Sequence, residues 1–383
     1  MPITSRPMVC ATRWAWALNG KGLKLNRKIF LWHHWCGLAV GFFLLFMSIT
    51  GAILVFADEW EEAADAPWVK VDNPSGTFSY DASLFRLRDQ YPGWEVRAYG
   101  QPEPNEALIY ELRNKELRKR VFVHPVNGRL LHVGEQARWY QQLLLFHYTW
   151  FSGTSGKIAV FFTGVLFLIS LITGLYVYRK SVVKVLLFRT RINHKTKRSY
   201  NSSLHRIVGV WSLLFNLLIV ASGLSMAGQI SLAALKAKGP TKTAASTDIA
   251  SVDAPRTAIL QQHKDFEIHS LRIRPTGNTV QFSGRYTSDP FYYGKYYSSF
   301  VVDGSTGEVT NHTVLREQSL GKRLLSMSGP LHFGNWGGMV VKVLYFLFGL
   351  TPALLSITGF VIWMRQSGKR QPVQQDRKAV AAV

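Results

Sequence analysis

The chain has 383 residues, a formal net charge of +22 and a mean hydropathy of only +0.03, values that would suit two or three basic soluble domains. Four apolar runs exclude that interpretation, because each has about 20 residues or more, enough to cross roughly 30 Å of hydrocarbon. The runs are residues 31–56, 158–178, 207–227 and 339–364. The sequence therefore predicts a membrane protein.

The positive charge is concentrated in three segments that alternate with the acid-containing loops. Residues 1–30 hold six Lys and Arg and no acid, residues 179–206 hold nine and no acid, and residues 365–383 hold five and one acid. An excess of Lys and Arg marks the cytoplasmic loops of membrane proteins. Both termini and the middle loop are therefore predicted to lie on the cytoplasmic side of the membrane. The charge indicates a lipid bilayer as partner and no nucleic acid.

In chain order, the second half repeats the organisation of the first, as a tandem duplication would. The predicted segments are a basic cytoplasmic N-terminus (1–30), a first span (31–56), a periplasmic domain (57–136), a juxtamembrane helix with the second span (137–180), a basic cytoplasmic loop (181–203), a third span (204–230), a second periplasmic domain (231–318), a juxtamembrane segment with the fourth span (319–365) and a cytoplasmic tail (366–383).

Each periplasmic domain is predicted to be one helix packed on a small antiparallel sheet. In the first, the helix and strands are expected at residues 80–91, 94–99, 107–112, 120–124 and 129–133. In the second, a polar loop, a helix and strands are expected at residues 236–251, 255–263, 267–274, 279–285, 296–302 and 308–313. The predicted fold is an α-helical bundle of four transmembrane helices with two periplasmic α+β domains.

Four histidines occupy matched positions in the two halves. His33 and His205 each lie four residues before one glycine and eighteen before another, and His147 and His332 each lie 27 residues before the glycine of a Thr-Gly pair. The glycines are Gly37 and Gly51, Gly209 and Gly223, Gly174, and Gly359. An ionisable ring at membrane depth is costly, so each position is a candidate functional site.

The paired depths of these histidines indicate two metal sites. His33 and His205 begin spans at the cytoplasmic end, whereas His147 and His332 precede spans at the external end. Two imidazoles per site suit the iron of a haem, and zinc or copper would need further ligands that the spans lack. His34 is an alternative to His33 as the ligand. An interfacial ring bonded to backbone or headgroup is the alternative for any one of the four.

Aromatic residues near the external histidines have two interpretations. They form an interfacial aromatic belt or a docking surface for a bulky external electron acceptor. The docking candidates are Tyr292, Tyr293, Tyr296, Tyr297, Trp150 and Trp336. The remaining external histidines are expected to be ordinary surface or hydrogen-bonded residues, and these are His124, His132, His263, His269 and His312. No recognised NAD(P)H or flavin motif is present, so electrons would come from another molecule.

The chain resembles the PepSY-associated transmembrane family. The resemblance covers residues 27–365 and rests on the opening at residues 31–37 (LWHHWCG), the Thr-Gly ends of spans, and the segments at residues 123–129 (VHPVNGR) and 301–308 (VVDGSTGE). Within the family it is similar to FoxB-type inner-membrane ferric-siderophore reductases. That resemblance implies two b-type haems and reduction of a ferric siderophore on the periplasmic side. The donor, cytoplasmic or a quinol, is not identified by it.

Two other functions compete with this interpretation. PepSY-like domains also suit a membrane-anchored regulator or peptidase-binding module without redox activity, in which the spans are only an anchor. A small metal or siderophore transporter is the second alternative, although the predicted spans hold no Asp or Glu for ion coupling.

Overall fold

The computed structural model describes residues 20–72, 76–114, 117–134, 138–236, 249–275 and 277–367. Most of the predicted polar loop at 236–251, of the N-terminus and of the C-terminal tail lies outside the described residues. The helices are α1 Gly20–Leu54, α2 Ala57–Val69, α3 Asp81–Gln90, α4 Trp139–Thr149, α5 Gly153–Tyr178, α6 Val182–Leu186, α7 Lys197–Trp211, α8 Leu213–Lys236, α9 Asp253–Gln262, α10 Leu320–Phe333, α11 Gly338–Gly349 and α12 Thr351–Ser367, with a 3-10 turn at Leu315–Glu317.

Four helical segments are long and apolar enough to cross a membrane, which confirms the predicted number of spans. They are Leu25–Leu54, Gly153–Tyr178, Leu213–Lys236 and Gly338–Arg365. The first two are each part of one continuous helix, α1 and α5. The third and fourth predicted spans are each interrupted once in the structure, between α7 and α8 and between α11 and α12.

The interruption of the fourth span has a local cause. Pro352 has no N–H to complete the helical bond to Phe348, and the Thr351 hydroxyl donates to that carbonyl instead. Ser48 of α1 crosses to the same point, donating to the Gly349 carbonyl at 2.5 Å and accepting from the Ala353 N–H. The break is therefore tied to α1 by polar contacts inside the bundle.

Helix packing brings the two halves of the chain together. Helix α1 lies between α5 and α12, α5 also packs on α8, and α12 packs on α7. The short helices α4 and α10 lie against α1 and α5 and against α8. Glycines mark close approaches, since a Cβ at Gly164 would lie 2.9 Å from the Leu224 side chain. The two ends of the bundle are called here the sheet end, which α1 reaches at Leu54, and the loop end, where α6 lies.

All eight strands belong to one antiparallel sheet. They are β1 Glu95–Tyr99, β2 Leu108–Asn114, β3 Leu117–Val123, β4 Leu130–Gly134, β5 Phe266–Ile273, β6 Thr279–Tyr286, β7 Ser298–Asp303 and β8 Val309–Thr313. Their order is β4-β3-β2-β1-β5-β6-β7-β8. The predicted strands are each present, but the sequence analysis treated the two domains separately. The β1–β5 pairing, with Val96 opposite Ile273, joins them into one sheet.

One face of the sheet forms the main apolar core. Alternate residues of the strands are buried against α3 and α9, including Leu84 of α3, Ile259 of α9 and Phe282 of β6. The two helices exchange caps: the Asp81 carboxylate accepts from the Val252 N–H at 2.7 Å, and the Asp253 carboxylate accepts from the Tyr80 N–H at 3.0 Å. Each half of the sheet layer therefore stabilises the other half's helix.

Helix α2, which the sequence analysis did not predict, joins the first span to the sheet. Its buried Asp65 forms ion pairs with Arg120 of β3 and with Arg138, the residue that caps α4. Pro67 near its end and a run of acidic residues conceal its helical pattern in the sequence. Through Asp65, the sheet is held directly against the start of α4.

Candidate functional site

The histidine pair at the loop end lies between α1 and α7. The ring centroids of His33 and His205 are 6.3 Å apart, with their planes at 74°. Helix α1 packs on α5 and α12, and α7 also packs on α12, so the two rings approach each other beside helices that share α12 as a neighbour. The predicted juxtaposition of His33 and His205 is thus present in the structure.

The histidine pair at the sheet end lies on the two short helices. His147 is in the last turn of α4 and His332 in the last turn of α10. Both helices end in a left-handed residue just beyond, Trp150 at φ 48° and Gly334 at φ 68°, which turns the chain into the next span. Burial, and after it the nearby His332 ring, lowers the pKa of His147 to about 3, so this imidazole is neutral.

All four rings are held through the Nδ1 atom, and the hydroxyl partners determine which atom carries the proton. Thr50 donates its O–H to the Phe46 carbonyl at 2.8 Å, so it accepts from Nδ1–H of His147 at 2.8 Å. A hydroxyl has only one proton to donate, so a hydroxyl that already donates to a carbonyl must accept from the histidine. The hydroxyls beside His205 and His332 are in the same position. His205 bonds to Thr358 at 2.9 Å and His332 to Ser222 at 3.2 Å, and each hydroxyl donates within its own helix.

The fourth ring has a backbone partner with the same consequence. Nδ1–H of His33 donates to the Ser170 carbonyl at 2.9 Å. A carbonyl only accepts, so this ring is also protonated at Nδ1. In each of the four histidines, the Nε2 lone pair is therefore the one left for a metal, with the ring orientation fixed by its other nitrogen.

Each ring also lies on a glycine of a neighbouring helix. A Cβ built at Gly174 would lie 2.9 Å from Cε1 of His33, and one at Gly51 would lie 3.0 Å from Cε1 of His147. At Gly223 the distance to Cε1 of His332 is 3.0 Å, and at Gly359 it is 3.6 Å to Cε1 of His205. Three of these positions leave no space for a side chain, so glycine permits the close approach.

A Ser/Thr-Gly dipeptide lies at each of the four ring contacts. Its hydroxyl binds the ring in three cases, whereas the Thr173 hydroxyl bonds within its own helix. The four dipeptides are Thr50-Gly51, Thr173-Gly174, Ser222-Gly223 and Thr358-Gly359. The spacing between the histidines and these glycines identified the four histidines in the sequence, but it did not identify the hydroxyl partners of their rings. The preceding hydroxyl residue was the signal that could have found them.

The remaining predicted residues are placed as follows. His34 points away from the pair, with its ring near Phe30 and Trp35 at 6.2 and 5.4 Å. Trp150 stacks on Phe43 of α1 at 4.4 Å. Trp336 donates from Nε1 to the Tyr345 hydroxyl at 3.4 Å.

The tyrosines of residues 289–297 lie beside α10. The loop packs on that helix at Gly294, where a Cβ would lie 2.7 Å from the Ser326 carbonyl. Tyr292 and Tyr293 are half-buried, and Tyr296 and Tyr297 are exposed. The structure thus places this aromatic loop at the sheet end, over the helix that carries His332.

The other external histidines have ordinary surroundings. His132 stacks on Trp68 at 3.8 Å and His312 on Phe300 at 4.0 Å, with His263 at 5.1 Å from His312. Nδ1 of His124 accepts from the Val126 N–H, and His269 lies 3.5 Å from Glu267. In the described part of the chain, no group of three or more His, Cys, Asp or Glu residues is arranged to hold a bare metal ion.

Comparison with protein families identifies a match over most of the chain. The sequence profile of the PepSY-associated TM region matches residues 30–366. A search of curated proteins found no match. The match begins inside the first span, Leu25–Leu54, and covers the rest of the four spans, both pairs of histidines and the whole sheet.

Proposed function

The chain belongs to the PepSY-associated TM region family, and from this membership and its histidine pairs we propose that it is a di-haem electron-transfer protein of the bacterial inner membrane. His33 and His205 would hold one b-type haem, and His147 and His332 a second. The proposed activity is haem-dependent reduction of a ferric siderophore at the periplasmic side, which would support iron release and uptake. The matched halves support an origin in tandem duplication.

The separation of the His33 and His205 rings is the observation that carries the proposal. A first-row metal binds imidazole nitrogen at about 2.0–2.1 Å, so two imidazoles on opposite sides of one metal have ring centroids about 6 Å apart. The observed distance is 6.3 Å. Only two protein ligands are offered, which suits a porphyrin because it supplies the remaining four nitrogens.

The chain's own residues prepare the rings for this role. Nδ1–H of each histidine is engaged by a carbonyl or hydroxyl oxygen, which fixes the tautomer and makes the ring a better donor. When bound, haem would take up and release single electrons. The chain's own task would be to hold the two imidazoles of each pair and to bind and orient the acceptor at the sheet end.

An arginine of α7 with a buried Nε would also suit a haem. Arg206 follows His205 directly, and its Nε is buried without a hydrogen-bond partner in the described structure. A haem carries two carboxylates, and a guanidinium is suited to pair with one. We infer that Arg206 would bind a carboxylate of the loop-end haem.

The spacing of the two sites suits transfer across a bilayer. His33 and Gly51, on which His147 lies, are both on α1 and eighteen residues apart, about 27 Å at 1.5 Å per residue. The hydrocarbon layer is about 30 Å thick. One site would therefore lie near each face, with the basic segments cytoplasmic and the sheet periplasmic. The donor to the loop-end site would be a cytoplasmic reductant or a quinol.

Substitution of single ligands tests this proposal. We expect His147→Ala or His332→Ala to remove about half of the haem and to abolish reduction of a ferric chelate at the sheet end, since the loop-end pair would be intact. His34→Ala is the matched control and should keep both haems, because its ring lies away from the pair. Full haem content in both ligand variants would contradict the assignment, and a colourless wild-type protein would favour a membrane-anchored binding module.

A further inference from the structure

The sheet face that lies opposite the apolar core carries a cluster of arginines that electron transfer itself does not use. We call it the arginine face. Its charged members are on the four strands β1, β2, β3 and β5, and they are Glu95, Arg97, Glu111, Arg113, Arg118, Arg120, Glu267 and Arg272. These five guanidiniums outnumber the three carboxylates that the same strands place on this face, Glu95, Glu111 and the exposed Glu267 of β5.

The strand register places like charges directly opposite each other. Arg97 of β1 is paired with Arg272 of β5, and Arg113 of β2 with Arg118 of β3. Such cross-strand pairs are destabilising in isolation. Here Glu95 accepts from both Arg97 and Arg272. These arginine pairs are not needed for the stability of the sheet, which indicates another role for them.

A second carboxylate holds the other pair, and both glutamates are ionised. Glu111 accepts from Arg113 at 2.7 Å and from Arg118 at 3.4 Å. Burial raises the pKa of Glu95 and of Glu111, but hydrogen bonds from their arginines outweigh it and lower both values. These bonds use only part of the five N–H donors that each guanidinium carries.

The arginine face is directed towards the bundle. Arg120 of this face pairs with Glu61 and Asp65 of α2, and Asp65 also pairs with Arg138 at the start of α4. Tyr99, on the same face of β1, lies 6.2 Å from Tyr296 of the loop that packs on α10. The face therefore overlies α4 and α10, the helices that carry His147 and His332.

The guanidiniums are partly shielded but still accessible. The side chains of Arg97 and Arg113 are 23% and 26% exposed, and those of Arg118 and Arg272 are both 37% exposed. Partial burial strengthens an ion pair relative to open solvent. A planar guanidinium also binds carboxylate or catecholate oxygens in a fixed fork. Tyr99 adds a hydroxyl that already accepts from Arg113 at 3.1 Å.

We propose that the arginine face is the binding site for an anionic iron(III) chelate with carboxylate or catecholate oxygens, held above the sheet-end histidine pair. That the ligand is an electron acceptor rests on the proposed function, whereas the expectation that it is an anion comes from the arginines of this face. The commitment to an anion follows from charge complementarity. A neutral tris-hydroxamate chelate would gain little from these side chains.

Calorimetry with gallium(III) chelates separates binding from reduction, because gallium(III) is not reduced under these conditions. The purified protein in a neutral detergent is titrated with an anionic gallium(III) tris-catecholate and with a neutral gallium(III) tris-hydroxamate. We expect the catecholate chelate alone to bind with an affinity that declines as salt is added. Arg97→Gln and Arg272→Gln should each weaken it about ten- to hundredfold.

Two further variants distinguish binding from damage to the fold. Arg86→Gln, an exposed arginine on α3 across the sheet, removes the same charge and should leave the affinity unchanged. Glu95→Gln with Glu111→Gln makes the face more positive and should tighten binding, the opposite of what unfolding would do. Thermal unfolding of each variant checks that it is folded.

Each remaining outcome has a defined meaning. Equal binding of both chelates, or wild-type affinity in Arg97→Gln and Arg272→Gln, would overturn the proposal. So would arginine-dependent binding of anionic lipid vesicles with no binding of the catecholate chelate. Catecholate binding in a protein that lacks haem would keep this site while refuting the proposed electron transfer.

Discussion

A single methyl group at Gly174 should damage the loop-end site. In Gly174→Ala the new Cβ would lie 2.9 Å from Cε1 and 3.2 Å from Nδ1 of His33. Carbon atoms pack best about 3.5–4.0 Å apart, so the ring would have to move by at least about 0.6 Å. The Nδ1 bond to the Ser170 carbonyl at 2.9 Å opposes that movement. Overpacking of this kind costs about 1–3 kcal/mol.

The partner position supplies the control. In Gly359→Ala the nearest contact is 3.6 Å to Cε1 of His205, an ordinary van der Waals distance. If this energetic cost is taken from haem binding, Gly174→Ala should lower haem affinity at the loop end by about fivefold to hundredfold, since 1.4 kcal/mol of binding free energy is about a tenfold change in affinity. Gly359→Ala should be close to wild type. The assay is haem retention under competition with apomyoglobin. Equal retention in the two variants would refute this account of the glycines.

Three further predictions concern the hydrogen bonds. Thr358→Val removes the hydroxyl that accepts from the His205 Nδ1–H, and it should weaken haem binding at the loop end about 10- to 100-fold. Thr173→Val is the control and should leave haem binding unchanged, because the Thr173 hydroxyl bonds within its own helix. Equal haem retention in the two variants would contradict the assigned tautomer. Asp81→Ala should destabilise the sheet layer by about 0.5–2 kcal/mol as a lost cap, seen as an earlier loss of the sheet's circular dichroism on heating. An unchanged melting curve would count against the exchanged caps. Burial raises the pKa of Glu95, but hydrogen bonds from Arg272 and Arg97 outweigh burial and lower this pKa below 4.5. Ionised Glu95 therefore stabilises the fold at neutral pH, and this stabilisation is lost as the pH drops below 4.5. In Glu95→Gln the melting temperature should fall less steeply with acidification, and an unchanged slope would contradict a stabilising role of the Glu95 carboxylate.

The sequence predicted local elements well where a strong pattern marked them. The helix at residues 80–91 has Leu84 and Leu87 on one face and ends before Pro92-Gly93, and the structure has α3 at Asp81–Gln90. The strand expected at residues 296–302 corresponds to β7, in which buried and half-buried residues alternate along Ser298–Asp303. Helix α2 was missed because its acidic residues give it no apolar face in the sequence, and Asp65 is buried only through its ion pairs.

Contacts between the halves could not be predicted from one sequence. Nothing in β1 alone indicates that it pairs with β5, because the register depends on two segments about 170 residues apart in the chain. The histidines were found because their spacing to glycines is the same in the two halves of the sequence. Their Nδ1 partners are on other helices, and only helix packing brings Thr50 to His147 or Thr358 to His205. The arginine face was likewise invisible, since strand register creates it.

The absorption spectrum and haem content of the purified full chain test the central claim most directly. The account predicts two b-type haems per chain, with a sharp Soret band and split visible bands on reduction by dithionite, as expected for iron with two histidine ligands. The His33→Ala and His147→Ala variants should each retain one haem. A protein that contains no haem, and takes up none when haem is supplied, would contradict the account.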